Sequence, residues 1–269
     1  VIQLVTNGLN IALDLWFVLG LGWGVPGVAL ATLIAEYSGL ALGLWLCREG
    51  LRTLGARVFD AARLRRMASV NGHIMLRSIL LQGCFTAFLF LSSGRGDLII
   101  ATNHVLLQFL ELMAYLLDGF AFAAETLVGQ AYGARNRASL SRAVRLTAVW
   151  GVGGAVLMGV FFGLAGPAII DLMTTAPDVR AESRTYLPWI VLAPILGIAA
   201  WMFDGIFIGA TLTREMVLTA AISAATFALM VWMLWGWGNH GLWAALMIFN
   251  ITRGATQALY YPRIAKALT

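Results

Sequence analysis

Hydrophobic residues form long runs along this chain, and the polar stretches between them are short. A run of about 20 apolar residues is long enough to cross the hydrocarbon core of a bilayer as a helix. Eight such runs can be marked, at about 1–20, 25–47, 74–93, 98–128, 140–164, 185–209, 215–236 and 241–265. Strands of a β-barrel would instead alternate apolar and polar residues in segments of about ten. The pattern therefore predicts an all-α polytopic membrane protein with eight transmembrane helices.

Composition supports the same class of protein. Hydrophobic residues make up 60% of the chain and charged residues 12%, and the mean hydropathy is +0.83. An ordinary water-soluble domain carries about 25% charged residues, so this class is excluded. The chain opens inside an apolar run at Val1, with no initiator methionine, and we expect an N-terminal part to precede it.

Positive charge is distributed unevenly between the two sides of the predicted membrane. Fourteen Lys and Arg residues follow the second, fourth, sixth and eighth spans, three lie in the opposite connections, and Arg253 lies inside the last span. The positive-inside rule makes the richer side, which includes the C-terminus, cytoplasmic. Because topology accounts for this charge, the net charge of +5 requires no nucleic-acid partner.

Several ionisable residues lie at membrane depth, where one charged side chain costs about 2.5–3.5 kcal/mol on insertion scales. The cost is large enough that each residue needs a structural or functional reason. The residues are Asp14, Glu36, Glu111, Asp118, Glu125, Asp204 and Arg253.

The fourth span carries a polar stripe. His104, Glu111, Asp118 and Glu125 are seven residues apart, so they share one face of a helix. This face should line a cavity or pair with a group such as Arg253. Two interpretations stay open: an internal salt bridge of Arg253 with Asp118 or Asp204, or a route for protons or substrate.

A second polar group is predicted on the first two spans. Asn10 and Asp14 are four residues apart and share a helix face, as do Thr32 and Glu36 on the next helix. An amide, a carboxylate and a hydroxyl could converge there on a proton or a small hard cation. Structural hydrogen bonding explains the same spacing equally well.

The sequence contains no complete catalytic motif. Residues 94–97 read GRGD, which matches the G-x-G-D string of intramembrane aspartyl proteases, but no Tyr-Asp on another span supplies the paired aspartate. We expect a glycine-rich turn there. Phosphate-binding loops and the common hydrolase motifs are missing from the sequence, so we predict a protein that is not an enzyme and has no cofactor.

Small residues and prolines predict local packing. The pairs Gly39/Gly43 and Gly159/Gly163 are G-x-x-x-G motifs, which favour close contact between helices. Three prolines are expected to bracket the connection after the fifth span: Pro167, Pro177 and Pro188.

Longer strings resemble a known transporter family. Asn10-x-x-x-Asp14 with GWGVPGVALAT at 22–32 resembles two helices of the multidrug and toxic compound extrusion (MATE) family. Its DinF-like branch is matched by LDGFAFAAETLVGQAYGAR at 117–135, FDGIFIGAT at 203–211, NHGLW at 239–243 and Arg253-Gly254. Together these strings extend over the whole chain.

The resemblance implies the last eight of twelve helices. Residues 1–47 would be the last two helices of the N-terminal lobe, 48–73 a cytoplasmic linker, and 74–269 a six-helix C-terminal lobe. In relatives the N-lobe cation site uses Asn, Asp and Thr at positions that match Asn10, Asp14 and Thr32. The implied protein is a monomeric antiporter in the lipid of the bacterial inner membrane, which expels organic, cationic amphipathic compounds in exchange for H⁺ or Na⁺.

One departure from the family bears on the coupling ion. Some members use a glutamate on the seventh helix for a second cation site, but the span 74–93 contains no carboxylate. The resemblance therefore favours proton coupling at Asp14, with Na⁺ binding there as the alternative. A lipid-linked precursor flippase would need several Arg or Lys in its cavity, whereas the C-terminal lobe has one deep arginine. A non-transporting scaffold subunit is the remaining alternative.

Overall fold

A computed structural model describes residues 1–52 and 60–266, and within these ranges the regular secondary structure is entirely helical. A π-helical segment, Leu15–Gly20, continues the first helix, and a 3₁₀ turn, Trp235–Trp237, precedes the last. The helices are α1 (Ile2–Asp14), α2 (Gly24–Leu46), α3 (Arg48–Arg52), α4 (Ala61–Ser93), α5 (Asp97–Gly133), α6 (Arg137–Met173), α7 (Pro177–Gly209), α8 (Thr213–Met233) and α9 (Gly238–Lys266). The predicted all-α fold is confirmed.

In the part of the chain that the structure describes, seven helical segments are long and apolar enough to cross a membrane. The 29-residue α9 occupies the position of the eighth predicted span and carries several polar side chains. The protein is therefore a multi-pass membrane protein. Several helices extend beyond the predicted spans: α4 begins at Ala61, α6 ends at Met173 and α7 begins at Pro177, so part of the predicted polar connection 48–73 is helical. Arg57, with the rest of 53–59, lies outside the described residues, as do 267–269.

The prediction for the prolines was wrong in part. Pro167 lies inside α6 and Pro188 inside α7, and only Pro177 marks the connection, in the first turn of α7. Proline in a membrane helix is tolerated where neighbouring helices satisfy the freed backbone groups. The connection itself is the short extended segment 174–176.

The chain divides into two units, Val1–Leu64 and Arg65–Thr269. In the first unit, α1 packs on α2 through small residues. Gly39 lies against the Thr6 hydroxyl, and a Cβ at Gly27 would stand 3.1 Å from the Cβ of Phe17. Close packing at the Gly39 motif is thus confirmed.

In the second unit, α7 lies at the centre and packs against α5, α6 and α9. Its buried side chains, such as Ile190 and Phe207, belong to one continuous hydrophobic core. Gly159 of the other predicted motif lies against α7, where an added Cβ would stand 2.9 Å from the Val191 carbonyl oxygen. The second G-x-x-x-G prediction is also confirmed.

Two further glycines allow helix backbones to meet at the centre of this unit. A Cβ at Gly205 of α7 would collide with the carbonyl of Ala121 on α5, and one at Gly254 of α9 would stand 2.9 Å from the Cβ of Ala199 on α7. Each glycine follows an ionisable residue, Asp204 or Arg253. The two close crossings therefore bring these charges towards one place in the core.

The GRGD string forms a turn, as predicted. Residues 94–96 connect α4 to α5, and Gly96 has φ 105°. This conformation is costly for any residue with a Cβ, so glycine is required there. Arg95 of the same turn lies over the ring of Trp235, with its guanidinium carbon 4.4 Å from the ring centroid.

Candidate functional site

The first unit brings together two of its predicted polar residues. The Asn10 amide donates a hydrogen bond of 3.4 Å to the Thr32 hydroxyl, which itself donates one of 3.0 Å to the carbonyl oxygen of Val28. α1 and α2 pack side by side, so residues 22 apart in sequence meet across their interface. Glu36, one turn beyond Thr32, is exposed.

Asp14 lies one turn after Asn10, where α1 changes into the π-helical segment. Its Oδ1 atom is buried and has no hydrogen-bond partner among the described residues. π-helical turns are rare and often mark functional sites. A buried carboxylate oxygen without a donor is costly unless a cation or proton satisfies it.

A polar seam runs along one face of α9. Its members follow a heptad spacing of four and three residues, which keeps them on the face turned towards the core. Five polar side chains and one intervening leucine, all buried, make up the seam: Asn239, Trp243, Leu246, Asn250, Arg253 and Gln257. The sequence contained this signal, but Arg253 was singled out for its charge, and Asn239 and Trp243 only within the NHGLW string.

An ionic cluster, defined as Arg77, Asp204, Arg253 and Gln257, forms at one end of this seam. Asp204 accepts a hydrogen bond from Gln257 at 2.6 Å and a short one from Arg77, and its Oδ2 lies 3.7 Å from Nη2 of Arg253. The cluster joins α4, α7 and α9. The structure thus places Arg253 beside Asp204, one of the two acids considered as its partner.

Arg77 is one of the fourteen positive residues counted on the predicted cytoplasmic side, and it lies within the predicted span 74–93. Its side chain is only 16% exposed and pairs with Asp204. Arg77 therefore faces the core of the second unit. Among the described residues, two largely buried arginines, Arg77 and Arg253, lie in this cluster, which removes part of the argument against a flippase.

Aromatic rings cover Arg253, which is 4% exposed. Its guanidinium carbon lies 5.1 Å from the ring centroid of Trp201 and 5.8 Å from that of Phe249. The Nε groups of Arg77 and Arg253 are buried without a hydrogen-bond acceptor in the described part of the chain, as is the Oε1 atom of Gln257 without a donor. Asp118 is half-buried within electrostatic range of both arginines, so two carboxylates face two guanidiniums.

The polar stripe of α5 does not behave as one surface. Asp118 and Glu125 are half-buried, whereas His104 and Glu111 are exposed. A straight α-helix drifts about 20° per heptad, so a seven-residue repeat rotates by about 60° between His104 and Glu125. The members of the stripe therefore have different surroundings: Asp118 lies within electrostatic range of the two arginines, whereas Glu111 lines a cavity.

A second polar network, which the sequence did not suggest, lies at the other end of the seam. The amides of Asn103 and Asn239 exchange hydrogen bonds of 2.7 and 2.9 Å. Asn103 also donates to Ser92 at 2.7 Å and accepts from the Trp243 indole at 2.9 Å. Because the donors and acceptors of Asn103 are satisfied, this network is suited to holding α4, α5 and α9 together.

Comparison with known proteins gives the context of these sites. A family model described as MatE matches residues 74–234. DNA damage-inducible protein F of Escherichia coli K12 is 42% identical over 268 residues, which cover 98% of this chain and 58% of that protein. Protein DETOXIFICATION 44, chloroplastic, of Arabidopsis thaliana is 24% identical over 92% of this chain and 47% of that protein.

Solved structures share the fold. A structure described as the outward-facing conformation of a multidrug resistance MATE family transporter matches with a TM-score of 0.89 at 20% identity. The match covers 100% of this chain and 62% of that one. The chain spans about half the length of the curated relatives that it matches along most of its own length.

Proposed function

Because the chain belongs to the MatE family, we propose that it is part of a cation-coupled exporter of organic, cationic amphipathic compounds. Residues 1–47 supply the last two helices of its N-terminal lobe, 48–73 a cytoplasmic linker, and 74–269 the six-helix C-terminal lobe. The protein works as a monomer in the bacterial inner membrane, with its C-terminus in the cytoplasm. The excess of positive residues on one side supports this orientation.

The observation that carries the proposal is the buried, unpartnered oxygen of Asp14. A coupling residue must alternate between a free and an occupied state, which requires a carboxylate without a permanent protein donor. Asn10 and Thr32 are bonded to each other one turn away, so they act as polar supports for this carboxylate.

The coupling ion is H⁺ rather than Na⁺. A proton needs a single carboxylate oxygen, whereas hard metal cations are bound by several oxygen ligands at once. The span 74–93 also contains no carboxylate that could form a second cation site. Na⁺ binding at Asp14 is the alternative that the experiment below must separate.

The energy that one proton supplies depends on the charge of the substrate. A membrane potential of about 100 mV contributes about 2.3 kcal/mol per net charge moved, and half a pH unit adds about 0.7 kcal/mol. The sum of about 3 kcal/mol sustains a gradient of roughly 150-fold for a neutral substrate. Exchange of one proton for one monovalent cation moves no net charge, so the pH difference alone drives export of such a cation, to a gradient of about threefold.

The test uses the complete transporter that contains this chain, reconstituted into vesicles with an acidic lumen. Outflow of protons should drive accumulation of ethidium, a fluorescent organic cation. Asp14→Asn should abolish the accumulation, while Glu36→Gln, which removes an exposed carboxylate from α2, should preserve it. Asn10→Ala and Thr32→Ala should slow it less than Asp14→Asn does.

Two results would contradict the proposal. One is normal pH-driven accumulation by the Asp14→Asn transporter, which would show that this carboxylate does not carry the proton. The other is accumulation driven better by a sodium-loaded lumen at uniform pH than by an acidic lumen, which would assign the coupling to Na⁺.

A further inference from the structure

The second unit contains a cavity of about 240 Å³ between α4, α5, α7 and α9. Its walls are largely apolar and include Phe85, Leu110, Met113 and Trp201. Ligand pockets typically combine such walls with a few polar groups that fix orientation. The cavity is therefore built like a binding site rather than a packing defect, provided that its polar groups are free to act.

One polar group on the cavity wall has no partner. Asn250 is 4% exposed, and its amide nitrogen donates to the Leu246 carbonyl at 3.2 Å. Its Oδ1 atom is buried without a hydrogen-bond donor among the described residues. A buried carbonyl oxygen left in this state costs about 1–3 kcal/mol, so a ligand with an N–H group would relieve it.

The charge on the cavity wall is negative. Glu111 lines the cavity and is exposed, which places its carboxylate at the opening. Arg253 lies behind Trp201, but its charge and that of Arg77 are balanced by two carboxylates, Asp204 and Asp118. A cation at the opening therefore meets a carboxylate, and the aromatic side chains of Phe85 and Trp201 line the same cavity.

We propose that this cavity is a subsite for an aromatic ammonium ion that bears N–H groups. The ring packs between Phe85 and Trp201, an N–H donates to Asn250, and the charge faces Glu111. The volume is smaller than the roughly 300–1,000 Å³ of drug-sized pockets, so it holds one ring and a short arm. The assignment rests on the proposed export of organic cations, since it names the part of such a substrate that the second unit recognises.

The test is equilibrium binding by calorimetry to the purified complete transporter, without any ion gradient. The probes are phenethylammonium, its trimethylammonium analogue and the anion 3-phenylpropionate. Glu111→Gln should weaken the binding of both cations by about tenfold, because it removes the carboxylate that faces their charge. Asn250→Ala should weaken the binding of phenethylammonium by about tenfold. The affinity for the trimethylated analogue should stay within about twofold of the parent value, because this analogue has no N–H to donate.

Asp97→Asn is the matched control. Asp97 is an exposed acid on the same helix, 14 residues and thus about 21 Å before Glu111, and Asn keeps its ability to accept hydrogen bonds. This variant should bind all three probes as the parent does. Glu111 is itself exposed, so Glu111→Gln should fold normally even if Asn250→Ala is destabilised.

The subsite is overturned if the anion binds as tightly as the cations, if phenethylammonium does not bind, or if Glu111→Gln has no effect. If Asn250→Ala weakened the binding of both cations equally, the proposed hydrogen bond from the ligand to Asn250 would be overturned. Binding that follows the expected pattern while vesicles fail to accumulate ethidium would contradict the export function alone. Normal ethidium transport with unchanged binding in Glu111→Gln would contradict the subsite alone.

Discussion

Two aspartates at membrane depth, Asp14 and Asp204, are surrounded very differently. Asp204 receives hydrogen bonds from Arg77 and Gln257 and lies 3.7 Å from a second arginine. Asp14 has a buried oxygen without any partner in the described part of the chain. Both carry the same insertion cost, but only one is compensated by protein groups.

The contrast separates two reasons for keeping an acid inside a membrane protein. A carboxylate that pairs with two arginines and an amide has a structural role, because releasing it would leave buried cations unpaired. A carboxylate without donors remains available to an ion. The number of permanent partners, rather than burial alone, therefore indicates which acid holds the fold and which serves transport.

The largest expected difference is in stability. Asp204→Asn should lower the free energy of unfolding by about 3–5 kcal/mol, because Arg77 and Arg253 lose their charge partner inside the core. Asp14→Asn should change it by less than about 1 kcal/mol, because no hydrogen bond is lost. Denaturant unfolding of the purified transporter measures both. Similar losses for the two variants would remove the distinction between them.

The second prediction concerns the helix crossing that positions Asp204. Gly205→Ala should cost about 1–3 kcal/mol or more, because the new methyl group meets the Ala121 backbone, which cannot move aside. Gly119→Ala is the control, since nothing lies within 4 Å of a Cβ there. That change should be neutral or slightly stabilising. A small loss of stability in Gly205→Ala would show that α5 and α7 can separate without cost.

The smallest effect is the coupling energy between Arg77 and Asp204. Combining Arg77→Gln with Asp204→Asn should be less harmful than the sum of the single changes, by about 1–2 kcal/mol. The double variant leaves one buried arginine instead of two, so it should be more stable than Asp204→Asn alone. Additive losses in the thermal unfolding of the four proteins would argue that Arg77 contributes through packing only.

The membrane class, the helices and the family resemblance could all be predicted from the sequence. Each depends on local properties: run length, composition and short strings of residues. The site was predicted less completely. Helix spacing paired Asn10 with Asp14 and Thr32 with Glu36, and the family resemblance implied the set Asn10, Asp14 and Thr32. The structure brings Asn10 and Thr32 together, but spacing could not reveal that one oxygen of Asp14 lacks a donor among the described residues.

The sequence by itself determined the set of apolar helices and the few charged residues at membrane depth that must be kept away from lipid. Only the tertiary structure decided which charges meet. Arg77 was counted with the positive residues of the cytoplasmic side, yet the packing of α4, α7 and α9, with a close crossing at Gly254, brings Arg77, Asp204 and Arg253 together. Helix periodicity specifies the face on which a residue lies, but the neighbour of that face depends on how backbones cross, which is a property of packing between distant segments.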